Sequence, residues 1–487
     1  NFFLAADKVG RVLNHLPQDL FRRRGLEAAQ QWLLERVGPG SDGMGAIFPG
    51  MLNTLIALEL LGLKDHPFFA KEERDFDGLV RGEADDLRVA PCYSPVWDTA
   101  IIAQCLVDSG LDPADPRLVR VADWLLDREI KIKGDWRENV TFPEATGWAF
   151  EFNNDFYPDV DDTFQVVLAL RLLRATDEPR RAAALARAMS WCRAFQCREG
   201  GFAAFDKDLT DAWLEQIPFA DHNAILDPPC SDITGRALET LAKMGATPAD
   251  PVVARALAFV YRTQEADGSW FGRWGVNYVY GTSHVLRGLV LAGQDMRQPC
   301  VQRARAWLES VQNADGGWGE TCWTYHDPAT RGGTAAGPFD GAGQPTQPGR
   351  GPAPSTASQT AWALLGLLAC AAKGETRKQN SETKNSTAGS KGQTKEEIAS
   401  LPSAHSAAQQ SQLETPNSKL ETTSAIERGI AYLLSTQQAD GSWQYPWFTG
   451  TGFPRIFYLK YTSYQWAWPL LALSWYRNLR ESKGLPG

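Results

Sequence analysis

Three carboxylates, Asp159, Asp161 and Asp162, fall within four residues in the stretch YPDVDDTFQVVLALRLL, directly before an apolar run long enough for a buried helix. One aspartate at such a place caps the free N–H groups of the first helical turn and suits the helix dipole. Three exceed what capping needs. Crowded carboxylates cannot all ionise cheaply, so at least one is expected to have a raised pKa and to keep its proton near neutral pH. Such a group is a standing Brønsted acid. The six histidines (His15, His66, His222, His284, His326 and His405) are scattered along the chain, so no metal constellation emerges and no cofactor is expected.

The elements that must position this acid are repeated. QCREGGF at Gln196, QEADGSW at Gln264, QNADGGW at Gln312 and QQADGSW at Gln437 are copies of one pattern, Q-x-x-x-G-x-W, with Phe202 replacing Trp in the first. Each follows one amphipathic helical stretch and precedes a second. The unit is therefore helix, Gln/Gly/Trp turn, helix. SDGMGAIFPGMLNTLIALELLG near Asp42 reads as a degenerate further copy. Tandem helical hairpins bury their inner faces either in an open solenoid or in a closed α/α barrel, an all-α fold in both cases. A purely structural role accounts for the repeat residues, with Gln pairing to backbone and Trp packing on the next helix.

Two segments interrupt the repeats. Lys373–Ser424 is polar and rich in Ser, Thr, Lys and Glu, the composition of a disordered insertion; Arg331–Pro354 is Gly/Pro-rich and reads as a long loop. Both fall between helices of adjacent repeats and are expected to hang outside the core.

At 487 residues the chain can hold more than one core. Its net charge of −9 and the absence of any lysine-rich run make nucleic acid an unexpected partner. The eight cysteines form no C-x-x-C pair, which argues for reduced thiols and a cytoplasmic setting. No apolar run is long enough to span a bilayer, so membrane contact is expected to be peripheral, with Val12–Arg23 the nearest local candidate. The 18 Trp, 22 Phe and 12 Tyr are the unusual bulk feature, because π-faces are how a protein faces a cation without offering it a nucleophile.

Together these motifs resemble the squalene-hopene cyclases, of the class II triterpene cyclase family. DVDDT (Asp159–Thr163) is similar to that family's D-x-D-D-T motif, and the Q-x-x-x-G-x-W copies to its QW repeats. SPVWDTA around Trp97, GWAFEF around Phe150, DGSWFGRWGVNYVYGT from Asp267, GGWGE at Gly316, STASQTAWAL at Ser355 and GTGFPRIFYLKY from Gly450 match in the same order. The resemblance implies two α/α barrels with the active cavity between them. Residues 1–90 would be the remnant of an incomplete smaller barrel, and residues 91–487 the catalytic barrel. It also implies squalene as substrate, polycyclisation to hopene or hopanol, and attachment to the cytoplasmic face of a bacterial membrane. Assembly as a homodimer is left open.

Residue roles follow from the resemblance at the matching positions. Asp161 corresponds to the proton donor, with Asp159 and Asp162 shaping its acidity. Arg236 stands where well-known members have a histidine paired to this acid, and Asp232, one turn earlier, would orient it. Arginine can hold the carboxylate left behind but cannot pass a proton back, so a water chain is the expected return route. Trp97, Phe150, Trp274, Phe453 and Phe457 match cavity aromatics, with Tyr280, Tyr461 and Tyr464 as polar-tipped neighbours. Phe205 replaces a tyrosine of some members, and Arg455-Ile456 replaces Gly-Asp. Three alternatives are a class II diterpene or other polyprenoid cyclase, a non-catalytic lipid-binding remnant and an α/α-barrel glycoside hydrolase. The diterpene cyclase would need clustered cations for a diphosphate, and the hydrolase two separated carboxylates in a sugar cleft.

Overall fold

The computed structural model describes residues 2–13, 19–82, 87–141, 144–217, 225–333, 353–386 and 416–481. Six helices form a closed inner ring: α5 (Pro95–Asp108), α7 (Val160–Leu172), α9 (Ser231–Lys243), α11 (Tyr278–Leu291), α13 (Ala357–Ser386) and α15 (Ala467–Arg480). Each packs on the next, and α15 packs back on α5, so the hairpins close into an α/α barrel and not an open solenoid. The outer helices are α6 (Pro116–Asp127), α8 (Glu178–Ala194), α10 (Pro251–Arg262), α12 (Pro299–Ser310) and α14 (Pro416–Thr436).

Sequence explains the division between layers. α6, α8, α10 and α12 begin with proline in the first turn, and Asp115, Asp177 and Asp250 cap three of them through their side chains. Their apolar residues lie on one face. α9 and α11 are buried almost throughout, because they face outer helices on one side and the barrel axis on the other. Gly235 and Gly288 let these two helices approach closely: a Cβ on Gly235 would lie 2.6 Å from the His284 carbonyl carbon, and one on Gly288 would lie 2.4 Å from the Gly235 oxygen.

The repeat turns act as couplings between layers. The amides of Gln196, Gln264 and Gln312 each donate to the glycine carbonyl of their own turn, at 2.7–2.9 Å, and to a carbonyl of the next outer helix: Val252 and Cys300 in the first turns of α10 and α12, and Ala425 within α14. Three residues beyond each of those carbonyls an arginine (Arg255, Arg303, Arg428) donates to the same glutamine's Oε1. Gln437, in the last copy, bonds to the Gly441 carbonyl of its own turn at 3.1 Å. The indoles of Trp270, Trp318 and Trp443 donate to Val260, Leu308 and Leu433 of the preceding outer helix. Trp148 makes the same bond to Leu125, 2.6 Å, although no Q-x-x-x-G-x-W precedes it. It marks a repeat the sequence pattern did not reveal.

A second regularity fixes the inner helices. The backbone N–H of Trp148, Phe202, Trp270 and Trp318 bonds the hydroxyl of Thr163, Thr234, Thr282 and Thr360, at 2.9–3.1 Å. The carbonyls of Trp148, Phe202 and Trp318 accept the N–H of Asp159, Cys230 and Thr356, four residues before those threonines. Four of the six inner helices, α7, α9, α11 and α13, are thereby set to a common depth and rotation.

Ahead of the barrel lie α1 (Phe2–Leu13), α2 (Asp19–Val37), α3 (Phe48–Leu60) and α4 (Pro67–Asp77); α2 and α3 both pack on α4. The segment between α2 and α3 joins the barrel side through Asp42, whose carboxylate accepts both the backbone and side-chain N–H of Asn153. Of the candidate membrane segment, Val12 and Leu13 are exposed at the end of α1; residues 14–18 lie outside the described residues. Among the described residues no helix is long and apolar enough to cross a membrane, and all eight cysteines are free thiols.

The insertion expected over Lys373–Ser424 needs correction at both ends. α13 continues to Ser386 and α14 begins at Pro416, so the helical backbone of both ring layers runs into the polar stretch. Lys, Glu, Gln and Arg are good helix formers, so a polar composition alone does not exclude a helix. Residues 387–415, and 334–352 of the Gly/Pro-rich loop, lie outside the described residues.

Candidate active site

The N-terminal ends of α5, α7 and α11 open on a cavity of about 310 Å³. Its lining holds Asp159, Asp161 and Asp162 together with Trp97, Phe150, Phe205, Trp274, Tyr280, Phe453, Tyr461 and Tyr464. Of the nine aromatic residues expected there, the structure brings eight together. Phe457 is the exception. It sits on β2 (Phe457–Leu459), paired with β1 (Gly450–Phe453), and packs on Phe453 at 5.5 Å, outside the cavity lining. Phe205 stands 39% exposed while lining the cavity, which puts it at the rim. Arg455 occupies the hairpin turn at φ 76°, a conformation that suits glycine better, and its Nε holds the Tyr325 carbonyl at 3.0 Å.

The three aspartates divide their work. Asp159 is the cap: its Oδ1 accepts the N–H of Asp161 at 2.5 Å and of Asp162 at 3.0 Å. Asp161 faces Arg236, whose Nε donates to Oδ1 at 2.6 Å. The guanidinium is spent in three directions, on Asp161, on Gln165 Oε1 at 2.6 Å and on the Tyr280 hydroxyl at 3.0 Å, and it lies 4.9 Å from the Trp97 ring centre. Asp162 Oδ1 is buried and has no hydrogen-bond partner among the described residues.

Burial raises the pKa of all three. For Asp159 the charge of Asp161 adds to burial, while the two capping N–H groups oppose it. For Asp161 burial is opposed by Arg236 and reinforced by Asp232. For Asp162 burial is joined by Asp159, Asp161 and Glu151, and its pKa stands well above the usual carboxylate range. Arg236 stays charged, because Asp161 and the Tyr280 oxygen outweigh its own desolvation. One fixed cation therefore serves several carboxyls in a dry site, and protons occupy the remainder.

The role expected for Asp232 is corrected. Its Oδ2 accepts the backbone N–H of Trp274 at 3.0 Å, and Arg236 is oriented by Asp161, Gln165 and Tyr280. The guanidinium reaches across to α7 and α11, whereas a first-turn carboxylate is best placed to take the loop N–H that covers the helix start. Asp232 thus positions Trp274, a cavity aromatic.

The aromatic walls are themselves tied. Trp97 Nε1 donates to the Tyr464 hydroxyl at 3.0 Å, Tyr464 stacks on Tyr461 at 4.3 Å, and Phe150 lies 6.0 Å from Tyr461 and 6.3 Å from Trp97. Trp274 meets Phe205 at 6.1 Å. Behind Tyr280 stand Trp362 and His284, at 4.7 and 4.3 Å. Gln165, Glu151, Tyr157, Asn154, Cys92 and Ile47 also build the site and were missed. Glu151 and Gln165 lie beside the motifs already singled out, in GWAFEF and DDTFQ, and an acid or amide next to a motif residue was the available signal. Ile47 and Cys92 carry no sequence signal. Among the described residues no group of acidic, His and Cys side chains could hold a metal ion.

The arrangement can deliver a proton from Asp161 into an apolar, aromatic space and hold the anion left behind on Arg236. Comparison with known proteins shows the family of the chain. The family model of the squalene-hopene cyclase C-terminal domain matches residues 93–399 and 379–478, and that of the N-terminal domain matches residues 1–85. The chain belongs to the squalene-hopene cyclase family. It is 38% identical over 485 residues to a probable squalene–hopene cyclase of Sinorhizobium fredii, covering 99% of this chain and 64% of that protein. It is 39% identical to the squalene–hopene cyclase of Alicyclobacillus acidocaldarius, covering 99% and 66%, and 36% identical to a dammaradiene synthase of Dryopteris crassirhizoma, covering 100% and 65%. The chain thus spans just under two thirds of the length of these curated relatives.

Proposed function

We propose that the chain carries the catalytic barrel of a squalene-hopene cyclase, which protonates a terminal alkene of squalene and guides the resulting cation through ring closures to hopene or hopanol. The observation that carries this reading is Asp161, bound at one oxygen by Arg236 and lining a cavity walled by eight aromatic residues. An alkene is a very weak base, so its acid must be dry, aimed and followed by stabilisation of its anion. Oδ1 is taken by Arg236, which leaves Oδ2 to carry the proton. Each aromatic face that meets the cation contributes about 0.5–2 kcal/mol. Return of the proton uses water, since Arg236 holds its own.

A diphosphate-bearing substrate is disfavoured, because among the described residues the cavity lining includes no Lys or Arg side chain. A hydrocarbon of this size is delivered from a lipid bilayer, and the exposed Phe2, Leu4, Val9 and Val12 of α1 suit a peripheral attachment at the cytoplasmic face. Incubating the full natural protein with squalene and analysing the lipid extract tests the reaction. Pentacyclic products are expected; turnover of an oligosaccharide, or no consumption of squalene, would refute it. Co-sedimentation with liposomes at low and high salt tests the attachment.

A further inference from the structure

A fourth acid lines the cavity, and proton donation leaves it unused. Glu151 is a cavity residue together with Cys92 and Tyr461. Its Oε2 accepts from the Asn154 amide at 3.1 Å, where Asp161 is held by a guanidinium. The groups that act on it electrostatically are acids or a thiol: Asp42 from the segment before α3, Asp162 from α7 and Cys92 from the approach to α5. Around it the walls are Phe150, Tyr461 and Trp97, which face a cation without taking a proton from it. A carboxylate in the same wall can take one.

We propose that Glu151 is a further catalytic residue, the base that removes a proton from a partly cyclised cation and so sets how many rings the released product carries. This rests on the squalene cyclisation proposed above. A C–H bond next to the cationic carbon breaks, its electron pair becomes the C=C bond, and the proton goes to the Glu151 carboxylate. That proton replaces the one Asp161 gave to the alkene; it returns to Asp161 by way of Asp162 or water, and the overall change is an isomerisation without oxidation or reduction. Burial pushes the Glu151 pKa up to about 8. At neutral pH the neutral acid predominates and lets the cation pass; in more alkaline solution the base predominates and short products accumulate.

The test is the product ratio from squalene, read by gas chromatography and mass spectrometry, for the full natural protein, Glu151→Gln and Glu151→Asp. The fraction of mono- and bicyclic alkenes is expected to rise about threefold or more between about pH 6 and about pH 9 in the wild type, to stay flat in Glu151→Gln, and to rise with a displaced midpoint in Glu151→Asp. Titration of Asp159, Asp161 and Asp162 changes total turnover in all three proteins alike and is separated by using the ratio. A flat wild-type ratio with squalene consumed overturns the role of Glu151 alone, as does a parallel rise in Glu151→Gln. No consumption of squalene by the wild type overturns the proposed function and this inference with it. Should Glu151→Gln not fold, the wild-type profile and the Glu151→Asp midpoint decide.

Discussion

Replacing Asp161 by asparagine separates the acid from the scaffold. The side chain keeps its shape, and its carbonyl oxygen still accepts from Arg236 Nε, now 2.6 Å from Oδ1. Arg236 also keeps Gln165 and the Tyr280 hydroxyl. Removing one partner of a buried ion pair costs about 3–5 kcal/mol, but retention of the hydrogen bond should bring this to roughly 2 kcal/mol. For a chain of this size that is a melting shift of only about 2 °C. The helix start is unaffected, because the cap is Asp159 and not Asp161. Turnover is another matter. An amide cannot protonate an alkene, so squalene consumption should fall at least about a thousandfold, within the range for loss of a general acid. The assay pairs a thermal melt with quantified lipid extracts from the full natural protein. Near-native turnover in Asp161→Asn would remove the proton-donor assignment and leave two buried carboxyls, Asp161 and Asp162, without a purpose.

Arg236→Lys removes the three-way fork to Asp161, Gln165 and Tyr280, and turnover should drop about 10- to 100-fold with the fold intact, checked by steady-state rates beside a melt. Glu72 is fully buried, accepts the Met44 N–H and has its pKa raised by burial to about 7. Its folded pKa lies above the unfolded one, so its stabilising share is complete below about pH 4.5 and is lost as pH rises through about 7, on the order of 3 kcal/mol. Glu72→Gln should flatten that part of the pH–stability curve measured by denaturant unfolding. Gly268→Ala forces φ +99° on a residue whose Cβ would lie 2.7 Å from the Arg303 carbonyl carbon, and should cost about 2–4 kcal/mol without altering the product pattern. Removing residues 387–415 with a short Gly/Ser joint should leave the melting temperature within about 2 °C, since loop length costs little.

Much of the fold was legible because the turn chemistry repeats. The Gln/Gly/Trp copies announce hairpins, and their number favours a barrel or solenoid, but ring closure depends on α15 meeting α5, a contact no local pattern encodes. The Trp148 unit was hidden for a related reason: its indole bond survives without the glutamine that makes the other copies visible. At the site, charge density marked the three aspartates, and the family likeness supplied most of the walls. Asp232 was misjudged because helical spacing says which residues are neighbours and not which loop N–H lies above them. Phe457 was misjudged because β1 and β2 carry a register shift between Thr451 and Phe453, which sequence does not show.

The threonine bonds at the start of four inner helices have a consequence for how such a site can change. Counting two residues back from Thr163, Thr234, Thr282 and Thr360 gives Asp161, Asp232, Tyr280 and Ser358, and counting two forward gives Gln165, Arg236, His284 and Trp362. These are equivalent addresses on a common dial, and two of the first set, Asp161 and Tyr280, line the cavity. The framework that sets each address uses the threonine hydroxyl and the turn backbone, so it does not depend on the side chains at those addresses, although Asp232 also holds the Trp274 N–H and Ser358 the Tyr445 hydroxyl. An acid, a charge anchor or a π-face can be exchanged between sectors of the ring without re-engineering the ring. The same barrel can then reshape its cavity through single substitutions at those positions, with the hairpin couplings untouched.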